Sequence, residues 1–361
     1  MLTEKTIRSV PKVLLHDHLD GGLRPQTIIE LADDLKYKKL PTRDKDALAE
    51  WFQIEVNKSG FVKFHKGFEH TSAVLQTKEG LERVAYEMME DMKSDGVIYV
   101  ETRFAPSHHI NKEMYLEDTV ISVLKGLERG KKDFGVGYGL ILCGIRHMKN
   151  TLEIAELAVN FRRDGVVGFD LTGYESSSPP KKHLEAFQFI KRANFNITIH
   201  AGEIFGKESI WQAIQWCGAH RIGHATRLID DIILNEDGEV VSFGELAQYI
   251  LDKRIPLEIC ILSNIHSRVI DKIENHPFSI LFKEKFRVTL NTNHRLLNAT
   301  TLTREFLTAV NYFHITLDEI EKITINSMKS AFISHSDRLR YIYDVIKPGY
   351  KDFLNKFQSF K

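Results

Sequence analysis

Short apolar runs alternate with longer stretches at helical spacing along most of the chain. The runs are Lys12–Leu19, Val97–Phe104, Val136–Cys143, Val166–Leu171, Ile197–His200, Arg221–His224, Leu257–Leu262 and Arg287–Leu290. Several are near-continuously apolar, the pattern of parallel strands covered on both faces. Between them, Leu81, Val84, Ala85, Met88, Met89 and Met92 form one apolar stripe at helical spacing, with Gly96 as a stop. Such a stripe reads as core packing. Leu152, Ile154, Ala155, Leu157, Ala158 and Phe161 make a second helical stretch ahead of a strand. Eight strand–helix units predict an α/β fold, a closed (β/α)8 barrel of the TIM type, with residues 1–361 as one domain. The stretch from Gly21 to Asp95 is too long for one helix and predicts extra helices between strands one and two, over the barrel mouth. After Asp337, the sequence around Tyr341, Tyr343, Ile346 and Pro348 reads as a closing helix and tail. An open doubly wound sheet is the alternative. It usually carries a glycine-rich phosphate loop after its first strand, whereas here Gly21-Gly22-Leu23-Arg24 follows.

Charge narrows the classes of partner. Lys+Arg and Asp+Glu both number 49, so nothing recruits nucleic acid or an acidic membrane, and a small-molecule partner is expected. Cys143, Cys217 and Cys260 are widely spaced with no CxxC pair, which argues against a disulfide framework or a thiolate metal site and fits a reducing compartment. Glu4, Lys5 and Arg8 interrupt the N-terminal segment, which therefore does not read as a signal peptide, and no apolar run reaches the length of a membrane helix. The expectation is a cytoplasmic protein. Oligomeric state is not encoded in any of these features.

The chemistry-bearing residues fall at strand ends. In Leu15-His16-Asp17-His18-Leu19-Asp20-Gly21, His16 and His18 are two apart on a strand and leave the same face. At the C-terminal end of a barrel strand that face is the active-site mouth, and two imidazoles there make half a zinc site. Taken alone, an HxH pair is explained equally well by two hydrogen-bonded core histidines. In Thr198-Ile199-His200-Ala201-Gly202-Glu203, His200 supplies a third imidazole from another strand end, and three histidines match a catalytic zinc site with an open position. Glu203 follows on the loop, as a solvated carboxylate or, beside a metal ligand, as a general acid/base. His224, in Arg221-Ile222-Gly223-His224-Ala225, ends the next strand, where it is either structural or able to orient a water, take its proton, or stabilise developing charge.

These segments resemble the adenosine deaminase family of metal-dependent amidohydrolases. PKVLLHDHLDGGLRP, YVETRFAP, GFDLTGYE, ITIHAGE, RIGHA, LEICILSN and LNTNHRLLNATTLTREF stand in family order across nearly the whole chain. The other zinc deaminases are marked by HxE and PCxxC, and no PCxxC occurs here. The resemblance implies one Zn2+ per chain at His16, His18 and His200. It implies Glu203 as proton donor to purine N1, His224 positioning the attacking water, Asp20 contacting the ribose, and Gly173 presenting its backbone to the purine. The implied reaction converts adenosine or 2′-deoxyadenosine and water to inosine or 2′-deoxyinosine and ammonia. Asp20 favours a nucleoside over a free base; its alternative role is a cap on the Gly21-Gly22 turn.

One segment departs from the family. Where the family has Thr-Asp-Asp or Thr-Asp-Asn after strand eight, this chain has Thr292-Asn293-His294. By the resemblance, Asn293 takes the place of a metal-binding Asp that also accepts a hydrogen bond from the attacking water, and His294 takes the place of the residue that contacts purine N7. An amide oxygen is a poorer zinc ligand than a carboxylate and no base, but three histidines alone can hold catalytic zinc. The expectation is that Asn293 lies near the metal and His294 points at the purine. Two alternatives follow: a weakly active or inactive relative that binds purine nucleosides, and a deaminase of another aminopurine.

Overall fold

Eight parallel strands form the barrel wall: β1 (Lys12–His18), β2 (Val97–Phe104), β3 (Gly137–Ile145), β4 (Val166–Thr172), β5 (Asn196–Ala201), β6 (Arg221–His224), β9 (Leu257–Ile259) and β10 (Val288–Leu290). They neighbour one another in that order in this computed structural model, which describes residues 2–59 and 61–358. The wall closes through side chain as well as backbone. Asn291 Oδ1 accepts the N–H of Leu15 at 3.0 Å and of His16 at 3.1 Å, standing in for the ladder between β10 and β1. Two residues on, Asn293 N–H donates to the His16 carbonyl at 3.0 Å, and His18 N–H donates to the Asn293 carbonyl at 2.7 Å. Residue 293 is thereby tied to both histidines of β1.

Four helices lie between β1 and β2: Pro25–Asp34, Lys45–Ser59, Phe61–Val74 and Lys78–Ser94. The last carries the methionine-rich stripe, all of it buried. Thr77 caps it by accepting the Gly80 N–H, and Gly96 follows at φ +76°, a left-handed conformation that glycine adopts without strain. Chain end and sequence expectation also agree: a helix over His335–Arg340 runs through a wider-wound turn at Tyr341–Ile346 into a helix at Lys347–Gln358.

Two segments differ from the sequence reading. The run Leu257–Leu262 is strand only to Ile259, because a short helix begins at Ile261 and runs to His266. An apolar run cannot by itself distinguish a buried strand from a buried helix turn. An antiparallel hairpin, β7 (Ile232–Leu234) with β8 (Val240–Phe243), stands outside the barrel; its strands are too short to carry a periodic signal.

Inside the wall sits a buried ionic network. Arg103 reaches Asp170 at 2.9 Å and Glu258 at 3.0 Å, and Arg221 reaches Glu258 and Glu101, both at 2.6 Å. Charges this far from water persist only when paired. The same oxygens of Asp170 and Glu258 that accept from Arg103 also meet the histidines at the strand ends.

Candidate active site

His16 and His18 end β1, His200 lies near the end of β5, and His224 ends β6; all four are buried. The alternation of β1 puts His16 and His18 on one side of the strand, with ring centroids 5.4 Å apart. His16 Nδ1 meets Glu258 Oε2 at 2.8 Å, and His200 Nδ1 meets Asp170 Oδ2 at 3.0 Å. A carboxylate only accepts, so in each ring Nδ1 carries the hydrogen and Nε2 keeps its lone pair. His16 Nε2 is buried with no hydrogen-bond partner among the described residues. His18 Nε2 and His200 Nε2 lie 3.1 Å apart. Burial above all, with the positive charge of Arg103 adding to it in each case, holds His16, His18 and His224 well below the usual histidine pKa, so these rings are neutral. Neutral imidazoles with converging, unsatisfied nitrogens are what a divalent cation needs. The side chains of His16, His200 and His224 have ligand atoms within 4.8 Å of one another, a grouping that includes His224 as well as two of the three sequence-predicted ligands.

Glu203 stands on the loop after β5, its Oε2 3.8 Å from His224 Nε2. Burial, reinforced by the charge of Glu175 and opposed by Arg146, raises its pKa to about 8. Glu203 is therefore protonated at neutral pH. Glu175 also shapes that loop: its carboxylate accepts the backbone N–H groups of Gly202 at 2.6 Å, Glu203 at 3.1 Å, Ile204 at 2.9 Å and Phe205 at 3.1 Å.

Asn293, at φ +58°, donates from Nδ2 to Ser263 Oγ at 2.7 Å, and its Oδ1 is buried without a partner among the described residues. His294 stacks on His18 at 4.3 Å and meets Phe68 edge-on at 4.8 Å. A Cβ at Gly21 would come within 2.1 Å of the His294 ring, so only glycine fits beneath it. Asp20 has one buried oxygen without a partner among the described residues and the other 3.6 Å from His109 Nε2. Gly173, at φ +108°, lies across the cavity. A cavity of about 350 Å³ brings together His18, Asp20, Gly173, His200, Glu203, His224, Asn293 and His294; His16 lies beneath it. The structure thus gathers every sequence-predicted site residue at one end of the barrel.

The family model for adenosine deaminase matches residues 11–348. The chain belongs to the adenosine deaminase family. It is 48% identical over 356 residues to adenosine deaminase 1 of Streptomyces coelicolor, covering 97% of this chain and 90% of that protein. Its fold matches adenine deaminase from Arthrobacter aurescens with a TM-score of 0.83 at 24% identity, covering 96% and 99% of the two chains. It also matches an amidohydrolase from Burkholderia ambifaria with bound Zn, TM-score 0.84 at 19% identity, covering 99% and 96%. As an adenosine deaminase family member the chain is a hydrolase acting on a C–N bond. Among the described residues no helix is long and apolar enough to cross a membrane.

Sequence reasoning missed the supports of this site: Asp170, Glu258, Glu175, Ser263, Asn264 and His109. The signal for Asp170 and Glu258 was present, since each is a lone carboxylate inside an otherwise apolar strand run.

Proposed function

We propose that this chain hydrolyses the 6-amino group of adenosine or 2′-deoxyadenosine, releasing inosine or 2′-deoxyinosine and ammonia. One observation carries the reading: Glu203, whose pKa burial raises to about 8, stands beside a cluster of histidines, two of them carboxylate-backed, around one cavity of nucleoside size. His16, His18 and His200 would hold a single Zn2+, with the Asn293 amide oxygen nearby. The chemistry such an ion supplies is acidification of water and Lewis-acid polarisation.

The chain's own residues supply the rest. Glu203 donates its proton to ring N1, which makes C6 electrophilic; an acid held near pH 8 does so at neutral pH without prior uptake. His224 orients the attacking water beside it. Water oxygen bonds to C6; one of its protons goes to the amino nitrogen and the other restores Glu203, the C6–N bond breaks, the oxygen stays as the C6 carbonyl and the amine leaves as NH3. Asp20 accepts from a ribose hydroxyl, Gly173 offers backbone to the purine edge, and His294 donates to N7. Phe68, Ala105 and Ile145 line the apolar wall and exclude water from the ring.

A second reading rests on Asn293: with an amide in place of a carboxylate, the chain binds purine nucleosides with weak or no turnover. Metal analysis of the purified protein, together with a spectrophotometric adenosine assay, decides between the two. One metal per chain with turnover of adenosine supports the first. Metal-free protein that binds but does not convert adenosine overturns it.

A further inference from the structure

Behind His224 runs a chain of three hydrogen bonds that fixes which nitrogen of that ring carries its proton. It starts from a group whose role is unambiguous: the Phe278 backbone N–H can only donate, and it lies 3.1 Å from His276 Nδ1. His276 Nδ1 is therefore a lone pair. The ring is buried, and burial lowers its pKa to about 3, so it is neutral and its one hydrogen sits on Nε2. That nitrogen lies 3.2 Å from Asn264 Oδ1, which accepts. The amide is thereby oriented, and its Nδ2 donates to His224 Nδ1 at 3.1 Å. His224 Nδ1 is a lone pair in turn, and the hydrogen of the neutral ring lies on Nε2, beside the cavity and nearest Glu203.

We propose that Asn264 and His276 are positioning residues that hold His224 as an Nε2–H donor. The inference rests on the reading above, in which His224 acts on the attacking water, and assigns it a narrower task. A ring nitrogen bearing a hydrogen donates to the water oxygen and steadies the charge that grows on it; it neither takes the proton of that water nor binds a cation. The group behind each ring thus sorts the histidines. His16 and His200 are backed by carboxylates, which accept, and turn Nε2 lone pairs toward the cluster. His224 is backed by an amide N–H, which donates, and presents hydrogen. Although its ligand atom lies within the same cluster, His224 is held out of the cation's shell, leaving His18 to complete the set.

Asn264→Asp tests this with almost no change of shape. A carboxylate still accepts from His276 Nε2–H but also accepts from His224 Nδ1, which inverts the His224 tautomer. Imidazole nitrogen NMR on labelled protein, metal-free and zinc-loaded, reads the tautomer directly. The wild type is expected to show hydrogen on His224 Nε2 and the variant on Nδ1. The variant's kcat is expected to fall by about 10²–10⁴-fold, the range seen for lost orienting partners and inverted tautomers, with KM little changed. Its zinc retention is expected to rise. A second pair guards against misfolding: His276→Gln keeps a donor toward Asn264 and restores most of kcat, whereas His276→Phe removes it and does not. Hydrogen on His224 Nδ1 in the wild type, or wild-type kcat in Asn264→Asp, overturns the proposal. A wild type that shows the Nε2 hydrogen but deaminates no purine nucleoside supports the relay and sinks the function assigned to it.

Discussion

The Glu175 carboxylate accepts the backbone N–H of Glu203 at 3.1 Å while its charge opposes ionisation of the Glu203 side chain. One residue therefore both places Glu203 and, second only to burial, opposes its ionisation. In the proposed reaction the protonated form acts, so kcat is expected to be lost as pH rises through the Glu203 pKa. Glu175→Gln removes the repulsion and should move that basic limb to lower pH by ~1 unit. Replacing one of the two oxygens that together accept four N–H groups should also cost roughly 1–3 kcal/mol of stability. A pH profile of kcat and a thermal melt measure both; an unmoved limb contradicts the electrostatic role.

Glu203→Gln should lower kcat by about 10²–10⁴-fold and leave metal content unchanged, because the residue is assigned proton transfer and not ligation. It should also alter stability against pH. The folded-state pKa of about 8 stands above the ordinary value of 4.5. Between those values the folded chain holds a proton the unfolded chain has released, so wild-type stability falls as pH rises through the window. Denaturant melts from pH 5 to 8 should show a flatter dependence in the variant.

Asn293→Asp should tighten zinc by about tenfold and raise kcat, since an anionic oxygen replaces an amide oxygen and Ser263 can donate where it now accepts. His294→Ala should raise KM for adenosine roughly 5- to 10-fold, the scale of one hydrogen bond, without releasing metal. Competition with a chelator and steady-state kinetics separate the two. Zinc stripped from His294→Ala would mean that this ring, and not Asn293, lies in the cation's shell.

Adenosine should be preferred to adenine because of Asp20, whose buried oxygen lacks a partner among the described residues and suits a sugar hydroxyl. Asp20→Ala should lower kcat/KM for adenosine by about 10- to 100-fold, as for a hydrogen bond to a charged group, and leave adenine nearly unaffected. Equal kcat/KM for nucleoside and base in the wild type would remove Asp20 from that role.

The barrel was legible because its strands are long enough to show apolar runs and its helices long enough to show stripes: β2 and β6 fall at the bounds read from sequence, and Leu81 to Met92 line one buried face. The hairpin at Ile232–Leu234 and the helix at Ile261–His266 were not, since three or six residues carry no period. In the site, residues whose partners are close in sequence stood out, as with His16 beside His18. Their supports did not: Glu258 is 242 residues from the histidine it orients, and only folding joins them. The role of Asn264 depends on the direction of an amide, which a sequence does not carry. Which side chains gather around the cavity was thus readable in part, but which nitrogen bears each hydrogen required the hydrogen-bond network.

The left-handed backbone at Asn293 also filters which residues that position can hold. Apart from glycine, Asn and Asp are the side chains that enter this region at least cost. Anything branched would strain the seam that joins β10 to the carbonyl of His16 and the N–H of His18. The scaffold therefore screens replacements before chemistry does, and what passes with a polar side chain is a pair differing by one terminal atom. The charge beside the proposed cation site can be switched off or restored here by exchanging one terminal oxygen and nitrogen, with the barrel around it undisturbed.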